Sequence, residues 1–392
     1  MDRELAATPT RNGSTMNNIR FRKHIIDTTL PGRFYAQTAL CDLTGDGRLE
    51  YVVGRQFGEI YVYQCHSPDN WTRHRVAQDS PSDVGLATLD VTGNGLPDLI
   101  TGGAWYRNSG DLRRPFERIV FDPDLKAVHD IMIADINHDG RPEVLTMSDK
   151  NTVRWYAIPD DPRQPWVRHD IGAGVHAGLA VGDLTGNGHL DVVRTNVWFE
   201  NVNGDGSTWR EHDVGPCTPP PADYQHPWAF NATRCRVVDI NGDGHNDLVF
   251  TDAEIPGSRI WWMENLDGRG QRWQRHEIHD GQNPRGGALH SLEVMDFDGD
   301  GDWDVFSAEM EFVRGERSPR WSIWENVDGR GGQWRQHVLL DENLGGHEVV
   351  VGDVQGNGRP DMIGKPWAPH SGNAANGNMF VVFLENITDD TD

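Results

Sequence analysis

The chain has 392 residues, with 60 Asp and Glu against 36 Lys and Arg, which gives a formal charge of -24. Such an acidic surface repels phosphate backbones and anionic lipids, so nucleic acid and membranes are not expected partners, whereas cations are. No run approaches the roughly 20 apolar residues of a membrane helix, and the polar start MDRELAATPTRNGSTMNN lacks the apolar segment of a secretory signal. We therefore predict a cytoplasmic protein in which residues 1–18 form a disordered leader and the four cysteines are buried thiols rather than disulfides.

One acidic loop recurs seven times along the chain. The copies are CDLTGDGRLEYVV, LDVTGNGLPDLIT, ADINHDGRPEVLT, GDLTGNGHLDVVR, VDINGDGHNDLVF, MDFDGDGDWDVFS and GDVQGNGRPDMIG. Their first acids, which recur every 45 to 57 residues, are Asp42, Asp90, Asp135, Asp183, Asp239, Asp296 and Asp353. Each copy lies between two apolar, β-prone runs, which is typical of a strand–loop–strand hairpin.

Two further strands follow each hairpin. The third carries aromatic residues such as Trp155 and Tyr156, and the fourth has an aromatic-x-x-His signature, as in Trp166 and His169. Four strands in each of seven copies predict an all-β, seven-bladed β-propeller over residues 19–387, with 388–392 as a tail. The chain starts with a fourth strand and ends with a third strand. The N-terminal strand should therefore complete the last blade and remove an open sheet edge.

Three of the loops are the best candidates to bind a hard cation such as calcium through their oxygen atoms. Their candidate ligands are Asp296, Asp298, Asp300 and Asp304 in the sixth loop, Asp239, Asn241, Asp243 and Asp247 in the fifth, and Asp135, Asn137, Asp139 and Glu143 in the third. We predict structural calcium sites in these loops. The alternative is that they are turns closed by Asx and glycine geometry without a metal.

The histidines fall into classes by their position in the repeat. Those on the fourth strands are predicted to pack and hydrogen-bond within their blades. His129, His290 and His347 lie six residues before the first loop acid of their copies, and His176 lies seven before. This position is the start of the innermost strand, so the four should ring the channel mouth opposite the acidic loops. We predict that His129, His290 and His347 bind a transition metal, most simply zinc, with His176 as a base. The alternative is a ring of hydrogen-bonded histidines that holds water.

Residues after each second strand return to the same mouth and add polar and aromatic side chains. From these we assign Glu309, Lys365 and Arg55 to catalysis together with His176. The candidate substrate-binding residues are Trp105, Arg194 and Trp367, with Tyr224, His226 and Trp228 from the long connection at 215–231. Aromatic faces for ring stacking and polar groups for hydroxyls predict a small sugar or an oligosaccharide as ligand. A metal that acidifies a C–H bond beside a carbonyl, with a histidine base, would support elimination.

The loops resemble VCBS/FG-GAP repeats, and that resemblance implies the same propeller fold. The segments VHD, VHAG, LHS and GHE, with SAEM at 307–310 and GKPW at 364–367, resemble the propeller domain of fungal aldos-2-ulose dehydratases (1,5-anhydro-D-fructose dehydratases). Propeller-type polysaccharide lyases also carry central histidines. The resemblance implies metal-dependent β-elimination from a keto-sugar or uronate-type sugar, although this chain lacks the fungal cupin region.

Two other functions stay open. One is a calcium-stabilised propeller that binds glycans or proteins without catalysis. The other is a glycoside hydrolase, which would need a carboxylate pair such as Glu309 with Asp252 or Glu254.

Overall fold

The computed structural model describes residues 19–215, 232–281, 287–311 and 318–388. Within these residues the regular structure consists of 28 β-strands, and no helix is long and apolar enough to cross a membrane. The strands form seven four-stranded antiparallel sheets, which confirms the predicted seven-bladed propeller. The predicted leader and the long connection with Tyr224, His226 and Trp228 lie outside the described residues, as does the tail after residue 388.

Each blade uses four consecutive strands, except the last. Strand β1 spans Phe21–Asp27. Blade 1 contains β2 (Tyr35–Cys41), β3 (Glu50–Arg55), β4 (Ile60–Ser67) and β5 (Asn70–Ala77). Blade 2 contains β6 (Ala87–Leu89), β7 (Asp98–Thr101), β8 (Ala104–Arg107) and β9 (Glu117–Val120). Blade 3 contains β10 (Asp130–Ala134), β11 (Glu143–Ser148), β12 (Asn151–Ala157) and β13 (Val167–Gly172). Blade 4 contains β14 (Leu179–Gly182), β15 (Asp191–Arg194), β16 (Val197–Asn201) and β17 (Trp209–Asp213). Blade 5 contains β18 (Thr233–Val238), β19 (Asp247–Asp252), β20 (Ile260–Asn265) and β21 (Trp273–His279). Blade 6 contains β22 (Glu293–Met295), β23 (Asp304–Ala308), β24 (Trp321–Asn326) and β25 (Trp334–Leu340). Blade 7 contains β26 (His347–Gly352), β27 (Asp361–Lys365) and β28 (Val381–Asn386).

The ring is closed where the two ends of the chain meet. Strand β1 pairs antiparallel with β28, from Phe21 opposite Asn386 to Asp27 opposite Val381. Blade 7 therefore has the order β1-β28-β27-β26. The predicted N-terminal completion of the last blade is confirmed.

The apolar core lies between neighbouring blades. Trp155 in blade 3 is 3% exposed and donates its indole N–H to Gly206 O of blade 4 at 3.3 Å. The same bond joins the next blades, from Trp198 to Gly270 O and from Trp262 to Gly331 O. These bonds and the apolar packing around them hold adjacent sheets in a fixed register. The described cysteines, Cys41, Cys65 and Cys235, are buried free thiols.

The fourth-strand histidines pack against the tryptophans of the third strands. The ring of His169 stacks on Trp155 with 3.9 Å between centroids, and His212 and His276 stack in the same way on Trp198 and Trp262. His276 Nε2 also lies 2.7 Å from Glu264 Oε2 on the neighbouring strand. These histidines have the packing and hydrogen-bonding role predicted for them.

Candidate functional site

Four buried histidines form a layer at one mouth of the central channel. Ring centroids lie 4.5 Å apart for His129 and His176, and 5.8 Å apart for His129 and His290. The rings of His290 and His347 are stacked at 4.2 Å. None of the four residues is more than 4% exposed. The repeat positions in blades 3, 4, 6 and 7 thus bring the four rings together.

Charged side chains form a second layer, at the next residue along the innermost strands. Asp130 Oδ1 accepts a hydrogen bond from Arg234 Nη1 at 2.8 Å, and Arg234 Nη2 lies against Glu348 Oε1. Arg234 Nη2 is also 3.3 Å from His290 Nδ1. An Asp–Arg–Glu chain from blades 3, 5 and 7 therefore crosses the channel directly beneath the histidines.

A cavity of about 270 Å³ opens at the histidine layer. It is lined by Gln56, Asp83, Val84, His129, His176, Glu254, His290, Met310, His347 and Trp367. A second cavity of about 190 Å³ is lined by the charged layer and by deeper channel residues that include Arg236 and Glu293. The first cavity is the one lined by all four histidines, and it is our candidate site.

Three side chains of this region could hold a metal ion. One ligand atom from each of His290, His347 and Glu348 lies within 4.8 Å of the other two. His290 Nδ1 is 3.1 Å from Glu348 Oε1, and its Nε2 is 3.1 Å from Glu254 Oε1. A neutral His290 that donates Nε2–H to Glu254 turns its Nδ1 lone pair toward Glu348 and toward Arg234 Nη2, so an ion bound at Nδ1 would displace the guanidinium. Histidines that ligate metals are commonly held by a carboxylate in this way.

His129 lies outside this group of potential ligands. Its ring borders His176, and its Nδ1 is 3.3 Å from Asp130 Oδ1. The ligand set that the structure brings together therefore contains Glu348 where the sequence predicted His129. Glu348 reaches the site because it has a left-handed backbone, with φ of 55°, at an irregularity in the pairing of β26 with β27.

Burial controls the protonation of the histidine layer. Loss of solvent, followed by the charges of Arg234 and the neighbouring histidines, holds the pKa of His290 well below its usual range. Burial likewise lowers the pKa of His347 and of His176. Burial alone would raise the pKa of Asp130, but His129 and Arg234 outweigh it and lower that pKa. His176, His290 and His347 thus offer neutral imidazoles above a carboxylate–guanidinium network.

Lys365 supports the layer from behind. Its side chain is fully buried, and Nζ lies 3.3 Å from His347 Nδ1 and donates to His347 O. Burial holds the pKa of the amine well below its usual range. Lys365 does not line the cavity, so its direct effect is on the orientation of His347.

Sequence and structure comparisons place the repeat in a known class. The sequence model of the family described as FG-GAP-like repeat matches residues 135–193, 239–307 and 296–364. The chain contains FG-GAP-like repeats. No curated protein matches it. Among solved structures, BBS1N in complex with ARL6DN, soaked with mercury, matches with a TM-score of 0.54 and 10% identity over 93% of this chain and 97% of that one. The lead-soaked crystal of the same complex matches with a TM-score of 0.54 and 9% identity over the same shares. At this identity the likeness shows the fold alone.

The FG-GAP loops lie at the opposite ends of the innermost strands. Carboxylate oxygens converge within 4.8 Å in two of the three loops predicted to bind calcium, at Asp135, Asp139 and Glu143 and at Asp296, Asp298 and Asp300. Within the described part of the chain, the loop of Asp239, Asn241, Asp243 and Asp247 has no such convergent group. There Asn241 Nδ2 donates to Asp243 and to Glu264, which closes the turn internally.

The last acid of each FG-GAP loop has a structural function that the sequence alone did not reveal. Asp304 Oδ2 accepts the N–H of Phe297, and Oδ1 accepts the N–H of Asn326 on the third strand. Asp247 binds Ile240 and Asn265 in the same way. These carboxylates anchor three segments of a blade, so Asp304 and Asp247 are committed to backbone hydrogen bonds rather than turned toward the other predicted ligands.

The structure brings some of the predicted catalytic and binding residues to the cavity and keeps others away. His176 and Trp367 line it. Trp105 does not reach the mouth, because the short Gly102–Gly103 turn leaves it in β8, where it is fully buried and bonded to Pro162 O.

Three further predicted residues also lie outside the cavity lining. Arg55 Nη1 pairs with Glu59 at 2.6 Å. The guanidinium carbon of Arg194 lies 5.8 Å from the centre of the Phe199 ring. Glu309 Oε2 accepts the N–H of Arg320 at 2.9 Å. Each side chain is engaged by its own blade instead of the cavity.

Glu348, Arg234 and Asp130 were not predicted as site residues, and Glu254 was assigned no role beyond the hydrolase alternative. The available signal was the repeat register, because Asp130, Arg234 and Glu348 all lie five residues before the first acid of their loops. Blade 5, which lacks a mouth histidine, supplies the arginine.

Proposed function

We propose that the protein is a metal-dependent carbohydrate lyase that performs β-elimination in the histidine-lined cavity. The observation that carries the proposal is the convergence of His290, His347 and Glu348, because the two histidines line the same cavity as His176 and Trp367. A site with only a structural role would not require four buried imidazoles beside an accessible cavity.

The donor set fits a divalent transition ion. Two imidazole nitrogens and one carboxylate oxygen are the ligands of many catalytic zinc sites, which leave a position for substrate. Glu254 orients His290, as expected for a metal ligand. An ion bound there would polarise a carbonyl or carboxylate oxygen of the sugar and acidify the adjacent C–H bond.

The protein groups then have distinct functions. His176 lines the cavity beside His129 and would accept the proton from carbon as the bond between the β-carbon and the leaving oxygen breaks. Trp367 offers an aromatic face to a sugar ring, and Gln56 and Asp83 offer hydrogen-bonding groups to hydroxyls at the rim.

The hydrolase alternative has less support. Hydrolysis by paired carboxylates needs two acids on opposite sides of the scissile bond. Of the candidates, Glu254 lines the cavity, whereas Asp252 accepts the N–H of Arg259 and Glu309 accepts the N–H of Arg320. The proposed pair is therefore not assembled at the cavity.

Elemental analysis of protein purified without chelator tests the proposal. Wild type should contain about one transition ion per chain, and the His290→Ala/His347→Ala double variant should lose it. A matched double variant, His212→Ala/His276→Ala, removes two fourth-strand histidines and should keep it. Elimination assays with uronate and keto-sugar substrates, followed by ultraviolet absorbance of the unsaturated product, would then identify activity.

Two results would decide against the lyase. Calcium as the sole bound metal, unchanged in either double variant, would favour a binding propeller stabilised by its FG-GAP loops. A transition ion with a reducing-end assay that shows hydrolysis, without unsaturated product, would favour the hydrolase. If elimination is found, His176→Asn should lower kcat by at least about 100-fold while the metal content stays at the wild-type value.

A further inference from the structure

A line of aromatic rings connects the histidine layer with the surface. His347 stacks on His290, the centroid of Trp367 lies 4.9 Å from that of His347, and Phe34 lies 5.4 Å from Trp367. Phe34 is 36% exposed, and Phe57 on the neighbouring turn is 53% exposed. The line therefore begins at the candidate metal ligands and ends in solvent on blade 1.

Blade 1 places these rings where the other blades have smaller side chains. Phe34 lies eight residues before its first loop acid, and the equivalent residues are Ser82, Ala127, Val175, Asn231, Ala288 and Gly345. Phe57 lies in the hairpin between the second and third strands, where blades 2 to 4 have Gly102–Gly103, Asp149–Lys150 and Thr195–Asn196. The repeat itself therefore does not require an aromatic ring at either position.

Both phenylalanines also adopt a backbone conformation that bulky residues rarely adopt. Their φ angles are 66° for Phe34 and 50° for Phe57, and this left-handed region is strained for such side chains. Hydrogen bonds hold both in place: Phe34 N–H donates to Trp367 O, Gln56 N–H to Phe34 O, and Phe57 N–H to Ser82 O. Exposed rings held in a strained conformation beside a cavity indicate a binding surface.

We propose that Trp367, Phe34 and Phe57 form an aromatic platform for a second sugar ring, so that the ligand is a glycan of at least two rings. This inference rests on the proposed carbohydrate site and names its substrate class. The ring to be cleaved would occupy the cavity, and its neighbour would lie with its apolar face on the platform. The guanidinium of Arg33, 5.5 Å from the centre of the Phe34 ring, would face a carboxylate of that second ring.

The test measures binding by calorimetry, so that it does not depend on turnover. The probes are hexuronate and neutral saccharides of one, two and four rings, added to the full chain. The main variant is Phe34→Asn/Phe57→Asn, because asparagine tolerates the left-handed conformation and preserves the fold while removing both rings. Phe34→Tyr/Phe57→Tyr retains the rings. Leu266→Ala removes an exposed apolar side chain on the opposite face and serves as the control.

We expect wild type to bind the best two-ring saccharide about tenfold more tightly than its one-ring counterpart. The asparagine variant should bind both with the one-ring affinity, and the tyrosine and Leu266 variants should behave as wild type. Equal affinity for one and two rings, or an unchanged preference in the asparagine variant, would refute the platform and leave the carbohydrate site standing. Absence of saccharide binding at every length would refute the platform together with the proposed function.

Discussion

At the scale of single residues, the site depends on how each histidine is oriented. Glu254 Oε1 lies 3.1 Å from His290 Nε2, and this contact turns Nδ1 toward Glu348 and Arg234, where the proposed ion would replace the guanidinium. The same pairing occurs in blade 5 away from the cavity, where Glu264 holds His276 at 2.7 Å. A comparison of the two pairs separates the effect of Glu254 on the orientation of His290 from the general effect of losing a buried hydrogen bond.

We expect Glu254→Gln to weaken transition-metal binding by about 10- to 100-fold, because an uncharged partner holds the ring less firmly and makes it a weaker donor. Glu264→Gln should leave metal affinity unchanged. Competition titration with a chromophoric chelator would measure both. Equal effects of the two substitutions, or none, would show that Glu254 does not orient a ligand.

Some residues of the site can be predicted from the sequence alone, and others cannot. Three of the mouth histidines, His129, His290 and His347, follow from register, because a fixed offset from the loop acid is a fixed height in the channel, and His176 is one residue away from that offset. Glu348 shares a register position with Asp130 and Arg234, but its approach to His290 and His347 does not follow from register, because adjacent residues of a regular strand point to opposite faces. Its φ of 55° and the irregular pairing of β26 with β27 are tertiary features. The contacts that turn Arg55 toward Glu59 and Arg194 toward Phe199 are likewise not encoded in the spacing.

At the scale of elements, several blades are connected to the blade before them by a buried asparagine at the end of the third strand. Asn265 is fully buried, donates to Leu184 O in blade 4 and accepts the N–H of Gly270. Asn201 and Asn326 make the corresponding bonds to Ile136 O and Ile240 O of the blades before them. The sequence has an asparagine at this position in five blades, whereas blades 1 and 3 have Cys65 and Ile158. Only the structure shows that these asparagines connect neighbouring blades.

Asn265→Ala should destabilise the fold by about 1–3 kcal/mol, because it leaves buried carbonyl and amide groups without partners. Asn203→Ala, at an exposed position in blade 4, should change stability by less than about 0.5 kcal/mol. Urea unfolding followed by tryptophan fluorescence gives both values. If the two substitutions have similar effects, the bond between blades does not contribute to stability.

The anchoring acids of the loops predict how stability depends on pH. Burial raises the pKa of Asp304 to about 8, and that of Glu143 and Asp247 to about 7. An acid whose pKa is raised in the folded state binds more protons there than in the unfolded chain, so it destabilises the fold as pH rises. Above about pH 6.5, unfolded histidines are largely neutral and no longer oppose this trend.

In chelator, we therefore expect the melting temperature to fall between about pH 6.5 and pH 8.5. Asp304→Asn removes the group with the highest of these pKa values and should reduce the fall. Calcium should reduce it as well if it binds at Asp296, Asp298 and Asp300, since the cation favours the ionised form of the nearby Asp304. Differential scanning fluorimetry at several pH values measures this. A melting temperature that is constant or rises over this window would contradict the raised pKa values.

At the scale of the whole molecule, ring closure and the site meet in blade 7. This blade supplies His347, Glu348, Lys365 and Trp367, yet its outermost strand is β1 from the other end of the chain. The sequence could predict this closure because the first strand has the signature of a fourth strand and the last that of a third. The site thus depends on two segments more than 300 residues apart, as the pairing of Phe21 with Asn386 shows.

Deletion of residues 1–27 should therefore expose the edge of β28, lower the melting temperature and promote association, because an unpaired strand edge pairs with other chains. Deletion of residues 1–18, which leaves β1 in place, is the matched control and should behave as wild type. Light scattering measures the association, and thermal unfolding measures the loss of stability, that we expect when the ring is open. Metal analysis of the same samples reports the site, since a loosened blade 7 moves His347 and Glu348 away from His290 of blade 6. A synthetic peptide of residues 19–27 should restore both properties in part. If the longer deletion keeps the wild-type melting temperature and metal content, the ring does not require β1, and the coupling between closure and the site is absent.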